Sequence, residues 1–285
     1  MVGELIAGTA AGLTKPATVL IERVSDAVGG IAKPWQIQRV AKANAKANLI
    51  VAQSEIEITE LQQRAAHRFI EEETKNQINI ESITHQAIPH LSEDAEPEKI
   101  DDDFLRNFFD KSRLVSDEQM QDIWARILAG EANNPGTFSR KTINILADMD
   151  KSDADLFTRL CCYIWVFPGG AEPLVFVQDD FFTKRGVYLS SLAEIASLGL
   201  LHTSNLGFSL QGLPSKVTVS YFGRRVELSL AEGSNGTISC GDIVLTGAGR
   251  QIASITRLSP VHGLFEFMCE KWEKDSNIES VRVLS

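Results

Sequence analysis

The sequence is poor in the residues from which metal sites, disulfide frameworks and many active sites are built. Among 285 residues there are four cysteines, none of them in a CxxC pair, and five histidines that lie far apart. This spacing argues against a zinc ribbon or a disulfide framework and is typical of free thiols in a reducing compartment. No GxSxG, HExxH, Walker or calcium-loop motif occurs. We therefore expect no enzyme activity, no cofactor and no bound metal.

Positive charge is also in short supply. Lys and Arg number 28 against 38 Asp and Glu, which gives a formal net charge of −10. Such a surface does not attract nucleic acid or anionic lipid overall, so either contact must depend on a local basic segment. The hydrophobic content of 44% matches an ordinary globular protein and excludes general disorder.

The first 33 residues are apolar and rich in small side chains, yet their apolar run falls just short of the usual length of a spanning helix. Gly8 and Gly12 have the GxxxG spacing that lets helix backbones approach closely, in lipid or in a soluble bundle. We expect this segment to contact a membrane or other copies of the chain; a buried helix within one subunit is the alternative. The residues predicted to make these contacts are Gly8, Gly12, Leu13, Val19, Leu20 and Ile21.

The same segment makes a poor secretory signal, because no positively charged region precedes it and Glu4 stands before its apolar part. We therefore expect a cytoplasmic or inner-membrane-associated protein.

Residues 35–88 contain neither proline nor glycine, and the helix-forming residues Ala, Gln, Glu and Lys dominate. Apolar residues recur at helical spacing, which predicts one long amphipathic helix. Its stripe consists of Ala47, Val51, Ile58, Leu61, Ala65 and Phe69. Such a helix would be about 80 Å long, more than one compact domain can cover, so we expect copies of the chain to bury the stripe in a coiled coil or bundle. Two antiparallel helices with a break near residues 76–77 are the alternative.

Two groups of basic residues are candidates for binding an anion. The front of the long helix supplies three, since no acid occurs between Asp26 and Glu55: Arg39, Lys42 and Lys46. They suit a lipid headgroup surface or an anionic ligand bound within an oligomer, and a solvated face explains them equally well. The second half of the chain supplies Arg224, Arg225 and Arg250, whose forked side chains can bind phosphate. Tyr221 and Phe222 beside them would stack on a base; a solvated hairpin is the alternative.

The remaining pattern predicts an α+β protein in three parts. An N-terminal segment with the long oligomerisation helix (1–91) precedes a helical domain (92–166), in which the aspartates at 101–103 begin a helix rather than bind metal. An α+β, winged-helix-like domain (167–285) follows and is expected to sense a ligand. Its predicted elements are strands at 174–177, 208–210, 216–222, 225–230 and 243–245, helices at 189–201 and 247–256, and a closing helix with an edge strand.

Several short patterns carry a family resemblance. Residues 116–129 read S-D-E-x-M-Q-x-x-W-A-x-x-L-A, residues 134–139 read N-P-G-x-F-S, and a capped helix follows at 150–157. Together with the stretches at 33–39 and 245–253, these resemble a bacterial domain-of-unknown-function family and, more distantly, the abortive infection alpha (Abi-alpha) proteins. No catalytic residue accompanies the resemblance. It implies a role in phage defence, with growth arrest or death as the output.

The leading hypothesis is therefore an antiphage effector that is homo-oligomeric and membrane-acting. Its ligand would be a nucleotide or oligonucleotide, made for instance by a neighbouring nucleotidyltransferase. Two alternatives stay open: a soluble oligomeric interaction or scaffold protein, and a nucleic-acid-binding regulator, against which the acidic balance argues.

Overall fold

The computed structural model describes residues 13–29 and 60–284. The chain divides into two compact units, residues 1–147 and 148–285. The first is helical where it is described, and the second combines helices with antiparallel strands, so the predicted α+β class is confirmed. The division into three parts at residues 91 and 166 stays a prediction.

The helical unit contains α1 (Lys15–Val28), α2 (Glu60–Ala87), α3 (Asp102–Ser112), α4 (Glu118–Asn133) and α5 (Arg140–Asp148), the last of which ends at the boundary between the units. Short 3-10 helices lie at Ile88–His90 and Pro97–Lys99. The core between α3 and α4 is aromatic, with Phe108 and Trp124 in edge-to-face contact at 5.1 Å between ring centroids.

The acidic side chains before two of these helices act as caps. Asp101 accepts a hydrogen bond from the backbone N–H of Phe104 at the start of α3, which confirms the capping interpretation of residues 101–103. At the start of α4 the cap is Asp117 and not Ser116, because the Asp117 carboxylate accepts from the N–H of Met120. A buried carboxylate, Glu131, accepts from two backbone N–H groups of the following turn and holds it against α4.

Helix α1 corrects part of the prediction for the N-terminal segment. Pro16 lies in its first turn, where the missing N–H is harmless, and so it begins the helix rather than interrupting an apolar run. Ala17, Leu20 and Val24 are fully buried, and Arg23 donates to the carbonyl of Ile100 at 2.6 Å. Leu20 therefore packs within its own unit and does not face lipid or another copy. None of the described helices is long and apolar enough to cross a membrane.

Helix α2 runs without a break from residue 60 to residue 87, so the alternative of two antiparallel helices with a break near residues 76–77 is wrong. Its C-terminal third is packed against α4, with Ile80, Ile83 and Ala87 buried. A hydrogen bond of 3.1 Å from the Gln121 amide to the Asn79 side chain satisfies two buried polar groups at this contact. The first turns of the helix are exposed, including Leu61 and Phe69.

The second unit is built around a five-stranded antiparallel sheet. Its elements in chain order are α6 (Lys151–Cys161), β1 (Ile164–Phe167), β2 (Gly170–Pro173), α7 (Asp180–Thr183), α8 (Leu189–Ser197), β3 (Leu201–Leu210), β4 (Lys216–Tyr221), β5 (Arg224–Leu230), β6 (Ile238–Leu245), α9 (Gly247–Ala253), α10 (Leu264–Glu273) and β7 (Ile278–Leu284). The strand order is β2-β1-β4-β5-β7, and β3 pairs with β6 in a separate two-stranded sheet. The closing helix and the edge strand predicted after residue 259 are α10 and β7.

Three local predictions for this unit are wrong. Residues 174–177 form no strand of a sheet; only Val175 makes an isolated bridge, to Gly241. No strand was predicted at the positions of β1 and β2. The winged-helix-like fold, in which a β-hairpin directly follows a helix, is not formed after α8, because β3 pairs with the distant β6 instead of with β4.

Two glycines of this unit are required by close backbone approaches. A Cβ on Gly241 would lie 2.1 Å from the carbonyl oxygen of Val175, and one on Gly249 would lie 1.9 Å from that of Leu200. Gly249 also donates its N–H to the Thr246 side chain, which caps α9. The Gly-Ala-Gly stretch at 247–249 therefore begins a helix, as the sequence predicts, and its last glycine lets that helix contact the loop before β3.

Candidate functional site

The cavity beside the β4–β5 turn is the best candidate for a ligand site. It encloses about 590 Å³ in the second unit. Its lining brings together residues from the turn, from the segment before α10 and from α10 itself: Tyr221, Phe222, Arg224, Pro260, Val261, His262, Gly263, Phe265 and Glu266. Of the basic residues predicted to bind an anion, Arg224 is the one that lines this cavity.

The turn itself is strained. Phe222 and Gly223 are the two residues between paired Tyr221 and Arg224, and both have positive φ angles, +45° and +82°. A two-residue turn of this type fits the twist of the strands but favours Asn and Gly, because a side chain clashes with its own backbone at positive φ. A phenylalanine there costs about 1–2 kcal/mol. Its ring is 45% exposed, so burial does not offset this cost in full. Backbone strain of this kind is common at ligand sites, so its presence at the rim of a cavity favours a functional role for Phe222.

The floor of the cavity is fixed by Tyr221. Its hydroxyl donates to the carbonyl of Cys162 and accepts from the N–H of Val261, both at 2.7 Å. Trp165 stacks on the tyrosine ring with 4.9 Å between ring centroids. Burial raises the pKa of Tyr221 to about 12, although the hydrogen bond from Val261 opposes the change. The phenol therefore stays protonated and locks the segment before α10 onto the sheet.

The cation of the site is Arg224. Its guanidinium lies 3.7 Å from the centroid of the Phe265 ring and donates to Oε1 of Glu266 at 2.6 Å. This hydrogen bond is the largest cause that holds the pKa of Glu266 below its ordinary value, and a backbone hydrogen bond and the charge of Arg224 act in the same direction. Glu266 uses one of the five N–H donors of the arginine, so the guanidinium keeps donors for an anion.

The other predicted cations are not gathered here. Arg225 is exposed and is the next residue along β5, so its side chain leaves the opposite face of the strand. Arg250 forms an ion pair with Glu172, a buried carboxylate that also accepts from the N–H of Leu245 at 3.1 Å. This pair connects α9, β2 and β6.

The N-terminal candidates give less information. Leu13, Val19 and Ile21 are partly exposed, in and just before α1. The remaining predicted residues lie outside the part of the chain that the structure describes: Gly8, Gly12, Arg39, Lys42 and Lys46.

Sequence reasoning missed the half of the site that comes from residues 260–266. Their contribution depends on the packing of α10 against the sheet, and no local pattern encodes that contact. The signal that was available is the pair Tyr221 and Phe222 before an arginine, which did locate the turn. In residues 13–29 and 60–284, no group of three or more His, Cys, Asp or Glu side chains is placed to hold a metal ion.

Comparison with known proteins gives one match. No curated protein and no solved structure is similar to the chain. The family model described as "Protein of unknown function (DUF2806)" matches residues 63–262, a range that contains the β4–β5 turn and ends inside the cavity lining. Because the match covers more than half of the sequence, the chain belongs to the DUF2806 family.

Proposed function

We propose that this chain is a non-catalytic, homo-oligomeric effector of antiphage defence, and that its cavity at the β4–β5 turn binds a nucleotide or short oligonucleotide. The observation that carries the ligand proposal is Phe222, which stands strained and half-exposed next to Arg224. Natural sequences place Asn or Gly in such a turn unless the side chain is needed for something else.

The chemistry of the cavity supports a nucleotide in particular. The exposed ring of Phe222 offers a face on which a base can stack, a contact worth about 1–3 kcal/mol. Arg224 can turn free N–H donors toward a phosphate. The volume of about 590 Å³ lies within the usual range for small-molecule sites. Glu266 competes with the ligand for Arg224, so phosphate binding would exchange one anionic partner for another.

Assembly is supported by one face of α2. Leu61, Ala65 and Phe69 follow one another at intervals of four residues, and by helical geometry this stripe continues into the face that buries Ile83 and Ala87. The buried part packs on α4, whereas Leu61 and Phe69 are 69% and 67% exposed. A second copy of α2 would bury the exposed part, as in a coiled coil.

The antiphage role is supported by the resemblance to the Abi-alpha proteins. The shared patterns fall on α4, on the turn held by Glu131 and on the cap of α6, where Asp150 and Asp153 form a capping box. On these grounds we propose that the DUF2806 family is related to the Abi-alpha proteins. A nucleotidyltransferase encoded nearby would be a suitable source of the ligand, and contact with the inner membrane is proposed for the N-terminal segment.

Binding can be tested with the full chain by calorimetry against AMP, ADP, ATP and the dinucleotides ApA and UpU. Arg224→Gln should weaken binding at least about tenfold, which is the loss of one charge-assisted interaction of about 1.4 kcal/mol. Arg225→Gln is the matched control, since the neighbouring arginine does not line the cavity. Failure of every compound to bind, or equal losses in both variants, would remove the nucleotide from the proposal.

Phe222→Asn separates binding from folding. Asparagine tolerates positive φ, so we expect this variant to unfold at a temperature equal to or above that of the original chain. We also expect it to bind the same nucleotide more weakly, because the stacking face is gone. A variant that is both more stable and fully competent to bind would show that Phe222 has no part in recognition.

A soluble oligomeric scaffold is the second candidate, favoured by the exposed stripe of α2 alone. Light scattering on Leu61→Glu and Phe69→Glu tests assembly, with the polar neighbour Gln62→Glu as control. In cells, phage plating on strains that carry these variants and Arg224→Gln distinguishes the two candidates. If the chain is a ligand-binding effector, protection should be lost both in the assembly variants and in Arg224→Gln. If it is a scaffold, only the assembly variants should lose function.

A further inference from the structure

A second, smaller cavity of the same unit is lined by cations without acids. It encloses about 220 Å³ between the end of α6, residues 185–187 and residues 259–261. Its ionisable lining consists of Arg159, Arg185, Cys162 and Tyr163, and it contains neither Asp nor Glu. Neither arginine lines the larger cavity.

Arg185 is oriented by backbone carbonyls. One terminal nitrogen donates to the carbonyl of Phe181 at 2.9 Å and the other to that of His262 at 3.1 Å, while the guanidinium lies 3.7 Å from the centroid of the Phe181 ring. These contacts fix the direction of the side chain but do not neutralise its charge. In the described part of the chain, no carboxylate forms an ion pair with Arg185 or Arg159.

The small cavity also contains a phenol, that of Tyr163. Tyr163 is buried, and burial raises its pKa, while the charges of Arg185 and, to a smaller extent, Arg159 act in the opposite direction. The three side chains line the same cavity. The phenol remains protonated at neutral pH and can donate a hydrogen bond.

Two other cavities of this unit place acids beside their cations. In a cavity of about 480 Å³, Lys271 and Lys274 are accompanied by Asp179, Glu270 and Asp275, and Lys271 forms an ion pair of 2.8 Å with Asp179. In the larger cavity at the β4–β5 turn, Glu266 accompanies Arg224. The small cavity is different, because its lining holds two arginines and no acid.

We propose that this small cavity binds a phosphoryl group, either as free phosphate or as the end of a phosphorylated small molecule. Arginine forks match the oxygens of phosphate in geometry and charge, and the volume admits a phosphoryl group with little attached to it. The inference does not depend on nucleotide binding at the β4–β5 turn, since Arg159 and Arg185 belong to the small cavity alone.

The test is calorimetry with inorganic phosphate, at an ionic strength held constant with sodium chloride. Arg159→Gln is the main variant, because this exposed side chain has no ion pair to lose and the fold should be unaffected. We expect its dissociation constant for phosphate to rise at least about tenfold. Lys184→Gln is the matched control: it removes one positive charge next to Arg185 from a side chain that pairs with Asp180 and does not line the cavity.

Arg185→Gln provides a second measurement, with circular dichroism to check its fold, because this variant also loses two hydrogen bonds to carbonyls. Titrations with glucose 6-phosphate and AMP, compared with that of inorganic phosphate, distinguish a small phosphorylated ligand from free phosphate. Binding of any of these three compounds that is weakened by Arg159→Gln supports the site, and the tightest binder identifies the kind of ligand. No saturable binding at millimolar phosphate, or equal binding by Arg159→Gln and the original chain, would overturn it. Arg225 lines neither cavity, so Arg225→Gln should leave phosphate binding unchanged. A loss confined to Arg159→Gln and Arg185→Gln assigns the phosphate to the small cavity, whatever the outcome of the nucleotide titrations.

Discussion

Arg250 and Arg224 each pair with a glutamate, but in different surroundings. The side chain of Glu172, the partner of Arg250, is 10% exposed and also accepts a hydrogen bond from the backbone of β6. The side chain of Glu266, the partner of Arg224, is 58% exposed at the rim of a cavity. Water or a ligand anion can replace Glu266, whereas nothing can replace Glu172 without rearranging the interior. The same two residue types thus form a structural contact in one place and an exchangeable one in the other.

The largest difference should appear in stability. Glu172→Ala leaves the N–H of Leu245 buried without an acceptor and Arg250 without its partner, so we expect a loss of about 2–3 kcal/mol in the free energy of unfolding. Glu266→Ala should cost less than about 1 kcal/mol, as exposed pairs usually do. Urea unfolding followed by tryptophan fluorescence measures both, and equal losses would contradict the distinction.

Tyr221→Phe tests the hydroxyl that ties the rim to the interior. The variant loses the bonds to Cys162 and Val261, and we expect a loss of about 1–2 kcal/mol. Alkaline pH gives a second readout. Since the pKa of the folded state, about 12, lies above the ordinary value of 10, ionisation favours the unfolded chain as the pH rises through this interval. Stability should therefore fall from pH 10 upward, and fall less in Tyr221→Phe. Identical alkaline curves would contradict this.

The difference between the two pairs also explains how far sequence reasoning could go. The α+β class, most elements after residue 100 and the helix start at Gly247 follow from local periodicity, caps and turns. Arg224 and Arg250 were equally good candidates, because composition does not show which glutamate packs beside which arginine. The contacts of Glu172 and Glu266 span 78 and 42 positions along the chain.

The errors have the same physical origin. β1 and β2 were missed because Trp165 lies close to the helical spacing of α6, and it is the pairing of β1 with β2 and with β4 that makes this stretch a strand. The hairpin of a winged-helix-like fold does not form after α8, because β3 pairs with β6, at residues 28 to 44 positions further along the chain. The positive φ angle of Phe222 could not be predicted from the local sequence either, since phenylalanine is unfavourable in such a turn. The conformation persists because the stability of the rest of the fold outweighs the strain.

The exchange of anions at Arg224 can be measured directly. Glu266→Gln removes the competing carboxylate but keeps the shape of the side chain, so we expect nucleotides to bind about threefold more tightly, a gain of roughly 0.7 kcal/mol. Glu172→Gln is the control and should not change the affinity, because Arg250 does not line the cavity. Calorimetry with UpU is suitable, since its phosphodiester keeps one charge across the working pH range. Weaker binding by Glu266→Gln would mean that the carboxylate itself holds the ligand.

The smallest expected effect is the pH dependence of the Arg224–Glu266 pair. The pKa of Glu266 in the folded chain lies below its ordinary value of 4.5, chiefly because the carboxylate accepts a hydrogen bond from Arg224. A lowered pKa means that the pair contributes its full stabilisation above the unfolded-state pKa and loses it as the pH falls through the folded-state value. A double-mutant cycle of Arg224→Gln and Glu266→Gln isolates this contribution from the other acids of the chain.

In that cycle we expect a coupling free energy below about 1 kcal/mol at neutral pH, since both side chains are more than half exposed. The coupling should remain constant down to about pH 5 and decline toward zero below 4.5, as protonation removes the charge of Glu266. Added salt should reduce it in the same direction, because screening acts strongly on exposed pairs. The pair of Arg250 with the buried Glu172 should lose less of its coupling under the same salt. If both couplings fell together, burial would not be what separates the structural contact from the exchangeable one.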